Sequence, residues 1–92
     1  MRKTKKTSAV HHRFDCEIDL HGYTADEAIY RLEEDVIINS SSTILVIHGH
    51  GSGVLRNAIR TFAKNNKNVR NFSGGEDLNL IGGSGVTVLY TA

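Results

Sequence analysis

The sequence has 92 residues, of which 39% are hydrophobic and 23% are charged, and its formal net charge is +1. This length fits one domain, and the composition is typical of a globular protein rather than a disordered one. A single cysteine, Cys16, excludes an internal disulfide and a cysteine-rich zinc site, and no run of 18 apolar residues could form a transmembrane helix. The basic amino terminus lacks the apolar segment of a secretory signal, so we expect a cytoplasmic protein that does not enter a membrane.

Charge is distributed unevenly along the chain. Residues 1–13 hold five of the eleven Lys and Arg residues and no Asp or Glu, so this segment is predicted to be a flexible basic arm. Such an arm could contact nucleic-acid phosphates, or it could be a solubilising tail or the remnant of a longer protein. Residues 14–92 are predicted to form the folded domain. Because ten acidic residues face six basic ones there, any nucleic-acid contact of the domain requires a local basic patch.

A strand and a helix are the first two predicted elements. Apolar and polar side chains alternate over residues 14–20, and this period of two predicts a strand with one buried face. Thr24 and Glu27 have the spacing of a capping box, which marks the start of a helix. An apolar stripe over residues 25–36 supplies the buried face of that helix.

The second half of the chain contains three more strands and one helix. Residues 44–47 are a continuous apolar run, which is typical of a central strand. A glycine-rich turn follows, and an apolar stripe over residues 55–62 predicts the second helix. Two further strands are predicted at residues 69–72 and 86–91, joined by a long loop rich in glycine and acidic residues.

The predicted order of elements is therefore βαβαββ. The first two strands should be parallel and joined by a right-handed crossover. Because the first strand has a polar face, helices should not cover both sides of the sheet. We expect an α/β two-layer sandwich in which a mixed four-stranded sheet carries both helices on one face and leaves the other at least partly open.

Two of the predicted strands end in a histidine followed by a glycine, at His21 and His48. In open α/β sheets, ligands bind outside the carboxyl ends of the strands, so these two histidines should reach the same edge. Asp19 lies two residues before His21 and could orient or charge its imidazole. This arrangement suits proton transfer to and from a phosphodiester. The alternative is that each histidine simply ends a strand and bonds a loop carbonyl.

The loop that follows the second strand is rich in glycine. Gly49, Gly51 and Gly53 allow the backbone to approach a ligand closely, and the next helix presents unpaired N–H groups to an anion. The spacing matches neither a dinucleotide-binding fingerprint nor a Walker A loop, so no nucleotide cofactor is indicated. The alternative is an ordinary turn from strand to helix.

Three basic residues follow one side of the second predicted helix. Arg56, Arg60 and Lys64 are spaced by four, which gives the acidic domain a basic ridge. Arg56 lies in the first turn, where the helix dipole opposes a cation, and a bound phosphate would relieve that opposition. The alternatives are an ion pair between Arg56 and a carboxylate such as Asp77, or a solvated face.

Three segments carry a resemblance to a known family: residues 18–22 (IDLHG), 47–56 (IHGHGSGVLR) and 82–88 (GGSGVTV). In motif order and spacing they resemble the three motifs of the Smr (small MutS-related) domain. The resemblance covers about residues 15–92 and implies a βαβαββ fold similar to the carboxyl-terminal domain of bacterial translation initiation factor three. It also implies endonuclease activity, as DNA nicking or as cleavage of RNA, including messenger RNA on stalled ribosomes. The motif residues map onto Asp19, His21, His48, Gly49, Gly51, Gly53 and Arg56, and His50 stands where the family usually has lysine.

We therefore predict an endonuclease in which Asp19, His21 and His48 are catalytic. The predicted phosphate contacts are Gly49, His50, Gly51, Gly53, Arg56, Arg60 and Lys64. The substrate would be DNA or RNA, in a context that includes the ribosome. No cofactor is certain: the spacing of His, Asp and Cys residues supports no metal site, although DNA cleavage would call for more help, such as a divalent cation (Mg²⁺ or Mn²⁺). The alternative function is a non-catalytic module that binds nucleic acid or ribosomes.

Overall fold

A computed structural model describes residues 14–92, so the predicted basic arm at residues 1–13 lies outside the described residues. The elements are β1 (Cys16–Asp19), α1 (Ala25–Ile38), β2 (Thr43–Ile47), α2 (Val54–Asn65), β3 (Val69–Gly74) and β4 (Val86–Thr91), with one 3₁₀ turn at Gly83–Gly85. The predicted βαβαββ order is confirmed. Among these described elements, neither helix has the length and hydropathy required to cross a membrane.

The four strands form one mixed sheet in the order β1-β2-β4-β3. β1 and β2 are parallel, as predicted, whereas β4 runs antiparallel to both of its neighbours. β3 extends to Gly74, two residues beyond its predicted end, because the ladder with β4 continues to the pair Gly74 and Thr87. The fold is thus the predicted two-layer α/β sandwich.

The core lies between the sheet and the two helices. α1 begins at its predicted capping box, in which the Thr24 hydroxyl accepts a bond from the Glu27 amide and the Glu27 carboxylate accepts one from the Thr24 amide. The largest fully buried apolar side chains of the core come from both layers: Leu20, Leu32, Val36, Ile44, Val46, Ile59 and Leu89. Removal of this apolar surface from water is the main source of stability for so small a domain.

Side chains alternate between the two faces of the sheet, and the strand register shows on which face each side chain lies. Ile18 pairs with Val46 and Val46 pairs with Thr87, so these three face the helices. Asp19 therefore lies on the face away from the helices, where its carboxylate is exposed. This alternation decides where the candidate functional side chains lie.

Three glycine-containing loops meet at one edge of the sheet. The carboxyl ends of β1 and β2 lie side by side there, next to the start of β4, because Asp19 pairs with Ile47 and Ile47 pairs with Val86. The carbonyl of Gly85 accepts hydrogen bonds from the amides of His48, at 3.0 Å, and Gly49, at 2.9 Å. The loops after β1, after β2 and before β4 are thereby held together.

Candidate functional site

Asp19 and His21 form an exposed pair at this edge. Residues 20–23 make a tight turn in which the Tyr23 amide donates to the Leu20 carbonyl, and Gly22 at the third position has a φ of +84°. The turn brings Nδ1 of His21 to 2.6 Å from Oδ1 of Asp19. The hydrogen bonds from His21 hold the pKa of the Asp19 carboxyl below its usual value.

The geometry of that pair leaves one ring nitrogen available. An ionised carboxylate can only accept, so Nδ1 of His21 carries the proton and Nε2 is directed outward. The His21 side chain is 72% exposed, and Nε2 has no hydrogen-bond partner within residues 14–92. Nε2 can therefore take up a proton from a ligand and return it.

His48, in contrast, is buried and fully hydrogen-bonded. Its residue is only 5% exposed, Nδ1 lies 3.0 Å from the Gly49 carbonyl and Nε2 lies 2.9 Å from Oγ1 of Thr87. Because a carbonyl can only accept, Nδ1 must donate, and Nε2 then accepts from the Thr87 hydroxyl. Burial lowers the pKa of His48, and the nearby Arg60 and Arg56 lower it further, although the Gly49 carbonyl opposes this. The ring is held as the neutral Nδ1–H tautomer.

The two histidines lie on opposite faces of the sheet, whereas the sequence analysis expected them to converge. The His48 ring contacts Thr87, which Arg60 of α2 also contacts, so His48 is on the helix side. The His21 ring is bonded to Asp19, which is on the other side. The physical reason is that successive side chains point to opposite faces. His48 is the first residue after its strand, whereas His21 is the second residue after its own, so the two rings point to opposite faces. Both backbones still meet, because a Cβ on Gly49 would lie 3.7 Å from Cβ of His21.

A network of side-chain hydrogen bonds links His48 to Thr87, Arg60 and Glu76 on the helix side of the sheet. Nε of Arg60 donates to Oγ1 of Thr87 at 3.1 Å, and Nη2 of Arg60 lies 3.1 Å from Oε1 of Glu76. The hydrogen bond from Arg60 also lowers the pKa of Glu76. Arg60, which the sequence placed among the phosphate contacts, is therefore already bound to two partners. Sequence reasoning missed Thr87 and Glu76, although a threonine inside the apolar run of β4 signals a hydroxyl that needs a partner.

The glycine-rich loop leads into α2 through a start that no side chain caps. Gly53 is the cap residue, with a φ of +89° that favours glycine, and no acidic residue lies in the first turn. The guanidinium of Arg56 folds back over Gly53, where a Cβ would lie 3.1 Å from Nη2 of Arg56. Within residues 14–92, Arg56 makes no hydrogen bond or ion pair, and the alternative pairing with Asp77 is not observed. The Val54 amide lies 3.5 Å from the Ser52 hydroxyl, so the first turn of α2 offers the amides of Leu55 and Arg56 and an unpaired cation.

The loop and the turn after β1 enclose a cleft of about 420 Å³. Its lining consists of residues 22–25, 48–49 and 51–56, and no carboxylate is among them. His50 lies outside this lining, with its ring packed against Gly85, and Lys64 is exposed near the far end of α2. The predicted contacts of Gly49, Gly51, Gly53 and Arg56 are brought together with His48. The lining does not include Asp19, His21, His50, Arg60 or Lys64. Residues 14–92 contain no cluster of three or more His, Cys, Asp or Glu side chains that could hold a metal ion.

Comparisons with known proteins place this geometry in context. A family model described as "Smr domain" matches residues 18–92. The chain is 38% identical over 76 residues to endonuclease MutS2 of Geobacillus sp. (strain WCH70), an alignment that covers 79% of this chain and 9% of that protein. It is 41% identical over 75 residues to endonuclease MutS2 of Clostridium acetobutylicum, covering 78% of this chain and 9% of that protein. The chain therefore spans about a tenth of the length of the curated relatives it matches.

The similarity extends to a solved structure. The crystal structure of the Smr domain of Thermus thermophilus MutS2 superposes with a TM-score of 0.71 at 34% sequence identity. The match covers 83% of this chain and 96% of that one.

Proposed function

The chain belongs to the Smr domain family, and we propose that it is a nucleic-acid endonuclease whose site is the sheet edge described above. One observation carries this proposal: an exposed Asp19–His21 pair immediately precedes Gly22, the first lining residue of a cleft that holds the start of α2, one unpaired arginine and no carboxylate. The relatives named endonuclease MutS2 support the same reaction class.

The cleft supplies binding of the scissile phosphate. The amides of Leu55 and Arg56 and the positive end of the α2 dipole attract an anion, and the Arg56 guanidinium adds a full positive charge. These donors are fixed before the substrate arrives. They can therefore stabilise the additional negative charge that develops on the phosphoryl oxygens when the phosphorus is attacked.

His21 supplies proton transfer. With Nδ1 held by Asp19, Nε2 of His21 accepts the proton of the attacking hydroxyl as the new oxygen–phosphorus bond forms. The bond from phosphorus to the 5′-oxygen then breaks, and that oxygen takes a proton from the imidazolium, which restores neutral His21. In RNA the attacking group is the adjacent 2′-hydroxyl, whereas in DNA it must be water.

His48 acts as a positioning residue in this scheme. From the sequence, His48 is predicted to share the acid and base roles with His21, but its ring is buried and both of its nitrogens are occupied. Its bond to the Gly49 carbonyl instead fixes the first residue of the glycine-rich loop. The position of the loop beside the cleft is thereby fixed before the phosphate binds.

A divalent cation such as Mg²⁺ or Mn²⁺ stays a prediction for DNA cleavage, in which it would activate water. The Asp19 carboxylate is already bonded to His21. The proton-transfer steps above therefore use only protein side chains and no cation. Ribosome association likewise stays a prediction.

A cleavage assay tests the proposal. An end-labelled RNA and its 2′-deoxy counterpart are incubated with the protein, with and without chelator. We expect cleavage that falls about 10²–10⁴-fold in His21→Ala and less in Asp19→Asn. The matched control is Glu17→Gln, an exposed carboxylate two residues earlier on the same face of β1, which should cleave as wild type. Unchanged cleavage in His21→Ala would remove the proposed mechanism.

A non-catalytic binding module is the second candidate. The observation that favours it is the burial of His48, which leaves His21 as the one imidazole of the predicted pair that is open to a substrate. In that case affinity falls linearly with the logarithm of salt concentration and weakens in Arg56→Ala, but no new strand ends appear.

A further inference from the structure

Tyr23 separates two clefts at the functional edge. On one side lies the cleft of about 420 Å³ against the glycine-rich loop, and on the other lies a cleft of about 720 Å³ along the start of α1. Tyr23 contributes to the lining of both. A ligand that fills the first cleft and continues along the surface toward α1 must pass this ring.

Hydrogen bonds hold the Tyr23 ring in place while leaving it accessible. Its hydroxyl accepts a bond of 3.0 Å from Nη1 of Arg31, whose Nε in turn donates to Oδ2 of Asp35 at 3.3 Å. The residue is 36% exposed. The ring is therefore pre-oriented by its hydroxyl rather than by burial, which lowers the entropic cost of stacking a ligand on it.

The two clefts differ in charge. The glycine-loop cleft has Arg56 and no carboxylate, so it favours phosphate. The cleft along α1 is lined by three carboxylates and one cation, Arg31, so its charge is negative overall and repels phosphate. The carboxylates of Asp26, Glu27 and Glu34 can accept bonds from the amino groups of nucleobases. A nucleotide with its phosphate in the first cleft would accordingly direct its base across Tyr23 toward the second.

We propose that Tyr23 is a stacking platform for the nucleobase next to the bound phosphate, and that this platform makes the site select single-stranded over base-paired nucleic acid. The inference rests on the proposed function, because it takes the glycine-loop cleft as the phosphate site. In a duplex both faces of an internal base are covered by its neighbours, whereas an unpaired base can leave the stack and lie on an aromatic ring.

A binding experiment with an abasic strand isolates the stacking contact. A fluorescent single-stranded DNA 12-mer, an abasic 12-mer with the same phosphates and a blunt duplex of the same length are titrated in the presence of chelator. Removal of a stacking ring costs about 1–3 kcal/mol per base, equivalent to about 5- to 150-fold in affinity. We expect Tyr23→Ala to lose affinity in that range for the 12-mer and to lose none for the abasic strand or the duplex.

Two further variants refine the result. Tyr23→Phe keeps the ring and should bind the 12-mer within about threefold of wild type, since stacking uses the ring face. Ile37→Ala is the control, because Ile37 is 63% exposed on α1 and lines neither cleft. It should bind all three ligands as wild type.

The possible results distinguish base stacking on Tyr23 from the proposed endonuclease function on which it rests. Equal affinity of the wild type for the 12-mer and the abasic strand overturns stacking at Tyr23 and leaves the phosphate site intact, and this comparison needs no variant to fold. An equal loss by Tyr23→Ala on all three ligands also overturns it. Failure of the wild type to bind any of the three overturns the proposed function itself.

Discussion

Replacement of Thr87 by valine tests the hydrogen-bond chain behind the glycine-rich loop. Thr87 is fully buried, and its hydroxyl accepts from Nε of Arg60 and donates to Nε2 of His48. Valine has nearly the same shape, so Thr87→Val removes the hydroxyl without opening a large cavity. Two polar groups lose their partner at once.

The expected loss follows from the burial of each group. Nε2 of His48 is left buried and unpaired, which costs about 1–3 kcal/mol. The Arg60 side chain is 23% exposed and keeps Glu76, so its lost bond adds about 0.5–1 kcal/mol. The free energy of unfolding should therefore fall by about 1.5–4 kcal/mol. Because each kcal/mol shifts Tm by about 4–8 °C in so small a domain, Tm should fall by about 6–32 °C.

Urea unfolding followed by circular dichroism measures this loss. The matched control is Thr61→Val on the exposed surface of α2, which should change the free energy of unfolding by less than about 0.5 kcal/mol. Thr87→Ser keeps the hydroxyl and should recover most of the difference. A loss in Thr87→Val no larger than that in the Thr61 variant would show that the hydroxyl holds neither partner, and the account of His48 as a positioned ring would fail.

Three further predictions follow from particular contacts. Burial lowers the pKa of His48 below 6.5, its ordinary value. Between that lowered pKa and pH 6.5, the unfolded chain binds a proton that the folded chain does not. The free energy of unfolding should therefore be highest above pH 6.5 and should decline as the pH falls through the folded pKa. Urea midpoints at pH 7.5 and 5.5 should show this decline in the wild type and less of it in His48→Gln. Gly75→Ala should destabilise the fold by about 1–3 kcal/mol in the same assay, because the added Cβ would lie 2.3 Å from the Gly83 carbonyl. Arg56→Ala should reduce the slope of log affinity against log salt for an oligonucleotide by about one unit.

Each of these has its own control. Thr61→Val changes an exposed side chain that does not titrate and should keep the wild-type decline between the two pH values. Gly51→Ala should be nearly neutral, because no atom lies within 4 Å of its added Cβ and its φ is not positive. Lys67→Ala removes an exposed charge beyond the end of α2 and should leave the salt slope unchanged. If Lys67→Ala reduced the salt slope as much as Arg56→Ala does, the cleft would contribute no more to nucleic-acid binding than an exposed lysine elsewhere.

The fold was predictable because its signals are local. The alternation over residues 14–20, the capping box at Thr24 and the apolar run of β2 each act within a few neighbouring residues. Their order leaves few topologies open, since two parallel strands require a crossover helix. The pairing of β4 between β2 and β3 does not follow from such signals, because it joins residues far apart in sequence.

The candidate site was predictable only in part. Asp19 and His21 share a face because they are two residues apart, and this pairing is what the structure shows. The face of His48 depends on where β2 ends, and a shift of one residue moves its ring to the other side of the sheet. The bonds from Arg60 to Thr87 and Glu76 span 27 and 16 residues, so no local pattern could have separated Arg60 from Arg56 and Lys64 in the predicted basic ridge.

The most direct test of the site is a map of where nucleic acid touches the domain. Amide signals of the ¹⁵N-labelled protein are followed during titration with a single-stranded DNA 12-mer in the presence of chelator. We expect the largest shifts at residues 21–25 and 48–56, which include the lining of the cleft between the turn after β1 and the start of α2. Shifts concentrated at residues 37–42 and 66–69, at the opposite end of the sheet, would contradict the assignment of the site to this edge.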